Sequence, residues 1–196
     1  MKILFKSNKK YMLKWIYILF FIFVLGVILG AFYLSLMPDD KTYSIKRYLI
    51  SYFDEISADI NYKDIFKTSL YNNFKIFLIL FICAFSKPTS VISCLVIVFK
   101  GFFFGFTTAS LIRFYSTDGL FLSFSFIPSA FITITSMVFY AAFSIISSNN
   151  GIKKDRKKLS SFLILSFCYL TIFCVAAFGD TFITTTFMKI VYSFLA

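Results

Sequence analysis

The chain has 196 residues, of which 59% are apolar and 22% aromatic, and 30 are Phe. Soluble domains run nearer ~45–50% apolar and ~25% charged, so 15% charged residues and a mean hydropathy of +0.84 exclude an ordinary cytosolic globule and a disordered tail. The sequence has no His, which removes His-based triads, HExxH metal sites and imidazole relays.

Residues 1–14 carry Lys2, Lys6, Lys9, Lys10 and Lys14. Trp15 to Met37 is then free of charge. A ~30 Å hydrocarbon layer takes ~20 helical residues, so 15–37 is the expected first transmembrane helix, stopped by Pro38-Asp39-Asp40. Its apolar run exceeds the ~7–15 residues of a signal-peptide core and no small-x-small site follows, so it reads as an uncleaved anchor.

Residues 38–67 are polar enough to form a loop outside the bilayer. Within them Ile45, Tyr48, Leu49, Tyr52, Phe53, Ile56 and Ile60 recur at i, i+3, i+4, i+7, i+8, i+11 and i+15. That spacing is one face of an amphipathic helix. Two readings stand for this face. It rests on the membrane or on the rest of the protein, or it docks an external partner through Tyr48, Tyr52 and Phe53.

The second span is expected at 68–86, with Ser69-Leu70-Tyr71-Asn72-Asn73-Phe74-Lys75 at the interface, where the Lys75 stem snorkels. Lys87-Pro88 ends it. The third span, 91–112, contains Lys100, and a central Lys costs ~2.5–3.5 kcal/mol on insertion scales. Lys100 faces a polar cleft, marks a break at Lys100-Gly101, or serves a transported ion or substrate. No acid lies inside any predicted span as its partner.

Arg113 to Gly119 is expected to turn. The fourth span, 120–147, then contains Pro128, an expected kink whose freed carbonyls Ser125, Ser129 and Thr133 can satisfy. A basic loop at 148–158 includes Lys153-Lys154-Asp155-Arg156-Lys157-Lys158. The fifth span is 159–179. Residues 180–196 form an interfacial tail that opens with Asp180, a carboxylate able to pair with Arg113 or a partner's cation.

Cytoplasmic segments of membrane proteins carry the Lys/Arg excess. With five crossings and the N-terminus inside, the inner segments hold eleven basic residues and one acid, Asp155. The outer segments hold seven basic residues and eight acids. The net charge of +11 is therefore a topology signal and calls for no nucleic-acid partner. The basic segments suit anionic lipid heads. The expected fold is one polytopic all-α membrane domain of about five helices, N-terminus inside, C-terminus outside, with an amphipathic helix in the first outer loop.

Cys83, Cys94, Cys168 and Cys174 all fall in predicted spans, as small apolar packing residues. No CxxC pair suggests redox or metal chemistry, and no disulfide is expected. Gly26–Gly30 and Gly101–Gly105 are GxxxG units, which bring helices together within one chain, in a homo-oligomer or with a partner helix. An intramembrane aspartyl protease needs two buried acids and a serine type needs a base. No GxxxxGK[ST] loop is present. No catalytic, metal or cofactor-binding residue is assigned, and no cofactor is expected.

A basic N-terminus, an anchor helix, one sizeable outer loop and four further crossings resemble the stage II sporulation protein M family. The resemblance is carried by Ser69-Leu70-Tyr71-Asn72-Asn73-Phe74-Lys75, by Lys100-Gly101-Phe102-Phe103-Phe104-Gly105-Phe106-Thr107, by Ile127-Pro128 and by Ala176-Ala177-Phe178-Gly179-Asp180-Thr181-Phe182-Ile183-Thr184. It extends from about Tyr62 onward. Ser129-Ala130 stands where the family would have polar amides after the proline. The resemblance implies a non-catalytic scaffold in the mother-cell membrane of the sporulation septum. Its implied partners are a peptidoglycan amidase/endopeptidase and a lytic transglycosylase needed for engulfment. The outer loop and the Asp180 region are then the recognition surfaces. The alternative is a small permease or transporter subunit, using a cleft between the third and fourth spans lined by Lys100 and Pro128.

The orientation is open to direct measurement. Topology reporters fused at residues 45 and 155 are expected to report opposite compartments. The same compartment for both overturns the five-crossing arrangement.

Overall fold

The computed structural model describes residues 2–58, 61–86, 88–149 and 156–195. Ile60 of the amphipathic face, Lys87 of the Lys87-Pro88 break, and Lys153, Lys154 and Asp155 of the basic loop lie outside the described residues. Every regular element among the described residues is helical. Five helices are long and apolar enough to cross a membrane.

Helix α1 (Lys2–Ser35) begins within the basic segment, because nothing before Pro38 breaks it. Proline disfavours helical geometry at the residue before it, and the chain closes with Met37 N donating to Leu34 O at 3.3 Å. Helix α2 (Asp39–Ala58) restarts at once. Asp39 and Asp40 in its first turn complement the helix dipole, and Thr42 Oγ1 donates to Pro38 O at 3.0 Å. Before α3 (Tyr62–Cys83), Asn61 Nδ2 donates to Asp64 Oδ2 at 2.6 Å while Asp64 N donates to Asn61 O at 3.1 Å.

The turn from α3 into α4 (Thr89–Phe124) is tied down by hydroxyls. Thr89 Oγ1 lies 2.6 Å from Cys83 O, 2.5 Å from Ser86 O and 3.0 Å from Ser148 Oγ. Ser148 Oγ in turn donates to Ser86 O at 2.8 Å. Carbonyls at a helix end have no intrahelical partner, and here side-chain hydroxyls supply one.

Helix α4 differs from expectation in its second half. It runs past residue 112 and breaks at Ser116, where φ is 50° and ψ is −122°. The chain reverses there. A Cβ added to Gly119 would overlap the Leu111 carbonyl, so residues 117–124 fold back against the end of the long segment. The expected turn at 113–119 is thus a sharp reversal inside one helical run.

A second break, at Ser125 and Phe126, separates this piece from α5 (Ile127–Asn149). Pro128 therefore occupies the first turn of α5, where its missing N–H has no intrahelical partner to lose. The expected mid-span kink is corrected to a helix start. Ala130 N bonds to Phe126 O at 2.9 Å, and Thr133 Oγ1 to Ser129 O at 3.0 Å. Among the described residues Ser125 Oγ is buried without a partner.

Helix α6 (Arg156–Gly179) also departs from expectation. It passes through a π segment, Asp180–Thr184, directly into α7 (Thr185–Leu195), so residues 180–191 continue the fifth span.

Helix α5 is the centre of the bundle, buried over most of its length. Around it stands an aromatic core. Tyr140 stacks on Phe77 at 5.1 Å and donates its hydroxyl to Ser166 Oγ at 3.1 Å. Phe143 stacks on Phe162 at 5.5 Å, and Phe162 on Phe81 at 5.7 Å. Ser144 Oγ donates to Leu80 O at 2.8 Å and joins α5 to α3. Of the cysteines, which are all free, only Cys83 is buried, and Cys168 and Cys174 are exposed.

Helices α1 and α4 run parallel and touch through glycine. Gly26 and Gly101 approach so closely that a Cβ on either would lie 3.3 Å from the other's Cα. A Cβ on Gly30 would overlap the Phe102 carbonyl, and one on Gly105 the Val27 carbonyl. Both GxxxG faces are therefore consumed within the chain, which removes them as a homo-oligomer contact. Farther along, Arg113 Nη1 donates to Leu34 O at 2.8 Å, which places a cation at the negative end of α1.

Overpacking a close helix contact costs about 1–3 kcal/mol. Gly30→Val is thus expected to lower the melting temperature in detergent by several degrees. Phe131→Val, at a side chain 70% exposed, is expected to leave it unchanged. Equal melting of Gly30→Val and the native chain counts against the packing described.

Candidate functional site

The α1–α4 contact fixes the rotation of α4 about its own axis. Gly101 faces α1, and each residue turns the helix by ~100°, so Lys100 is carried toward α3. There it meets a face of α3 made by Ser69, Asn72 and Asn73, at i, i+3 and i+4. The π segment adds Asp180 to the lining. Together with Tyr52 of α2, these residues line a cavity of about 410 Å³ that also reaches Asp64, Ile65, Thr68 and Asp180.

Asp180 opens the π segment. Wider i→i+5 turns are rare and concentrate at functional positions. This one is held on both sides by hydroxyls. Thr181 Oγ1 donates to Ala177 O at 2.9 Å, and Thr184 Oγ1 shares a 2.9 Å hydrogen bond with Ser129 Oγ of α5. The Asp180 carboxylate accepts a 2.9 Å hydrogen bond from Ser69 Oγ, and its charge acts on the Lys100 ammonium. Asn73 is buried and donates from Nδ2 to Phe173 O at 3.5 Å. Lys100 is half-buried and closes no salt bridge among the described residues.

This geometry decides four expectations. Lys100 does have an acidic neighbour, because the fifth span continues through Asp180. Arg113 bonds to the end of α1 and is no partner for Asp180. The cleft at Lys100 lies among α3, α4 and the π segment, and exposed Pro128 does not line it. The third span is continuous at Lys100-Gly101, since the break sits at Ser116.

The amphipathic helix resolves in favour of the protein. Phe53 is fully buried, edge-on to Tyr115 at 5.5 Å, with Leu111, Leu122 and Met188 around it. Leu49 and Tyr52 pack beside it. Tyr48 stays 69% exposed. The predicted recognition trio therefore divides into an anchor, Phe53, a cavity wall, Tyr52, and one outward residue, Tyr48.

Sequence reasoning singled out Lys100 and Asp180 and left Ser69, Asn72 and Asn73 as interfacial residues carrying the family likeness. Three polar side chains at helical spacing inside an apolar span were the available signal. Three of the four stretches that carry that likeness, around Ser69, Lys100 and Asp180, converge on this one cavity.

A family model described as Stage II sporulation protein M matches residues 19–185. No curated protein and no solved structure matches the chain.

Removing one member of an interacting charge pair strands the other, so neighbouring substitutions fail to add, typically by ~0.5–3 kcal/mol. Asp180→Ala and Lys100→Met are each expected to destabilise the purified protein. The double variant is expected to lose less than the two combined. Additive losses, measured by thermal unfolding, would mean that the two side chains do not act on each other.

Proposed function

The chain belongs to the stage II sporulation protein M family, and we propose that it is a non-catalytic membrane scaffold for peptidoglycan-degrading enzymes at the sporulation septum. Five apolar helices and the family make it a multi-pass membrane protein of sporulation. Its partners on this reading are an amidase/endopeptidase and a lytic transglycosylase, and its place is the mother-cell membrane. With the N-terminus inside, α2 stands on the wall side.

The observation that carries the reading is the anchoring of α2. Phe53 and Leu49 hold one side of this helix on α4 and α7. Tyr43, Lys46, Arg47 and Tyr48 of the same helix are exposed. The Arg47 guanidinium lies over the Tyr43 ring at 5.6 Å, which keeps a cation and an aromatic plane in fixed relation. Aromatic and Arg side chains on a rigid support are the groups that dominate protein–protein contacts. A helix pinned beforehand also loses less conformational freedom on binding.

The cavity around Lys100 and Asp180 favours a second reading, a small permease. Uptake into vesicles separates the two. Solute transport that Lys100→Leu abolishes, with partner assembly intact, would establish the permease.

A photo-crosslinking residue at Tyr48 is expected to trap wall-degrading enzymes in sporulating cells, identified by mass. The same probe at Phe131, on the bundle's exposed side, is expected to trap none. Equal yields from both positions, or none from Tyr48, defeat the scaffold reading.

A further inference from the structure

A second cavity, of about 650 Å³, adjoins the first and shares Asp64 and Thr68 with it. It continues over Lys67, Leu70, Tyr71 and Phe74 of α3. Tyr71 and Phe74 are 58% and 45% exposed on the flank of a membrane-spanning helix, so this second space opens toward lipid. The first space is lined mainly by polar and charged side chains, the second carries the side chains of Leu70, Tyr71 and Phe74, and they meet at Asp64 and Thr68.

We propose that the two chambers together hold one amine-bearing phospholipid. Its phosphate sits at Lys100 and Asn72, its ammonium points toward Asp64, and its acyl chains lie along Leu70, Tyr71 and Phe74. The charge pattern selects this class. Two cations, Lys67 and Lys100, and two carboxylates, Asp64 and Asp180, line the joined space. A purely anionic head would meet both carboxylates, and a purely cationic one both lysines. A head that carries both signs meets a partner for each.

Unused hydrogen-bonding capacity points the same way. Asn72 makes no side-chain hydrogen bond among the described residues, and Lys100 closes no salt bridge there. A phosphate is the strong acceptor that suits both, since an ammonium and an amide N–H each donate. Asp64 lies in the first turn of α3, whereas Leu70, Tyr71, Asn72 and Phe74 lie about two to three turns farther along it. Lys75 Nζ sits over the Tyr71 ring at 4.1 Å and fixes the ring that forms the chain path.

The test uses the full chain in nanodiscs of equal phosphatidylethanolamine, phosphatidylglycerol and phosphatidylcholine. Re-extraction and native mass spectrometry then count the lipids that stay bound. Expected is one retained phosphatidylethanolamine per chain, preferred about tenfold or more over the other two. Lys100→Gln and Asn72→Leu are each expected to cut that retention about tenfold, and Phe131→Ala to leave it unchanged. Asn72 is exposed, so its variant keeps the test valid if Lys100→Gln does not fold. Equal retention of phosphatidylglycerol, unchanged retention in Asn72→Leu, or no retained lipid would overturn the proposal. So would competition by free phosphoethanolamine as effective as that by the intact lipid, because the second chamber would then contribute nothing.

Discussion

The glycine contact between α1 and α4 is the constraint on which the rest of the structure depends. In lipid the tails are as apolar as Leu, so helices associate by close packing and not by escape from water. Four glycines let two backbones meet with almost nothing between them. That contact has consequences at several levels. It holds α4 at one rotation, which turns Lys100 toward α3. It aligns the helices in parallel, which brings Arg113 to the end of α1. It also leaves the lipid-facing side of α1 to its aromatic and aliphatic side chains, such as Tyr17, Phe21 and Phe32.

Much of this was legible in the amino-acid sequence. Apolar runs of about twenty residues with at most one lysine marked the spans, because the bilayer imposes a length that few soluble helices need. The period of α2 gave its apolar face but not what the face touches. Periodicity describes one element, and the burial of Phe53 depends on α4 and α7. The turn expected at 113–119 is present as the reversal at Ser116, which rests on a non-glycine residue with positive φ. One boundary was misplaced for a physical reason. The passage from α6 into α7 crosses Asp180, which reads as the end of a span when its acceptor role toward Ser69 is not known. Pro128 was read as a kink when it is a start, because the break before it consists of Ser and Phe and carries no Gly.

The candidate site shows the same division. Lys100 announced itself through its cost in an apolar run. Its environment did not, because the groups that surround it come from α2, α3 and the π segment, far apart in sequence. Hydroxyl and amide side chains in a membrane span are cheap and common, so Ser69, Asn72 and Asn73 stood out only weakly. Placed together they form a polar volume inside a greasy bundle. It adjoins Tyr52, one turn from the Tyr48 that faces outward on the same helix. The scaffold surface and the charged cavity therefore share a structural member.

Helix α2 has one further consequence. The two breaks that bracket residues 117–124 leave backbone out of regular helix in a chain that is otherwise nearly continuous helix. Irregular backbone at membrane depth is tolerated only where protein shields it from lipid. Phe53, Leu49 and Tyr52 lie against Leu111, Tyr115, Leu122 and Phe126 at this spot. The loop helix is thus a roof over the weakest stretch of the bundle. Whatever pulls it outward strips that roof and bares the seam beneath.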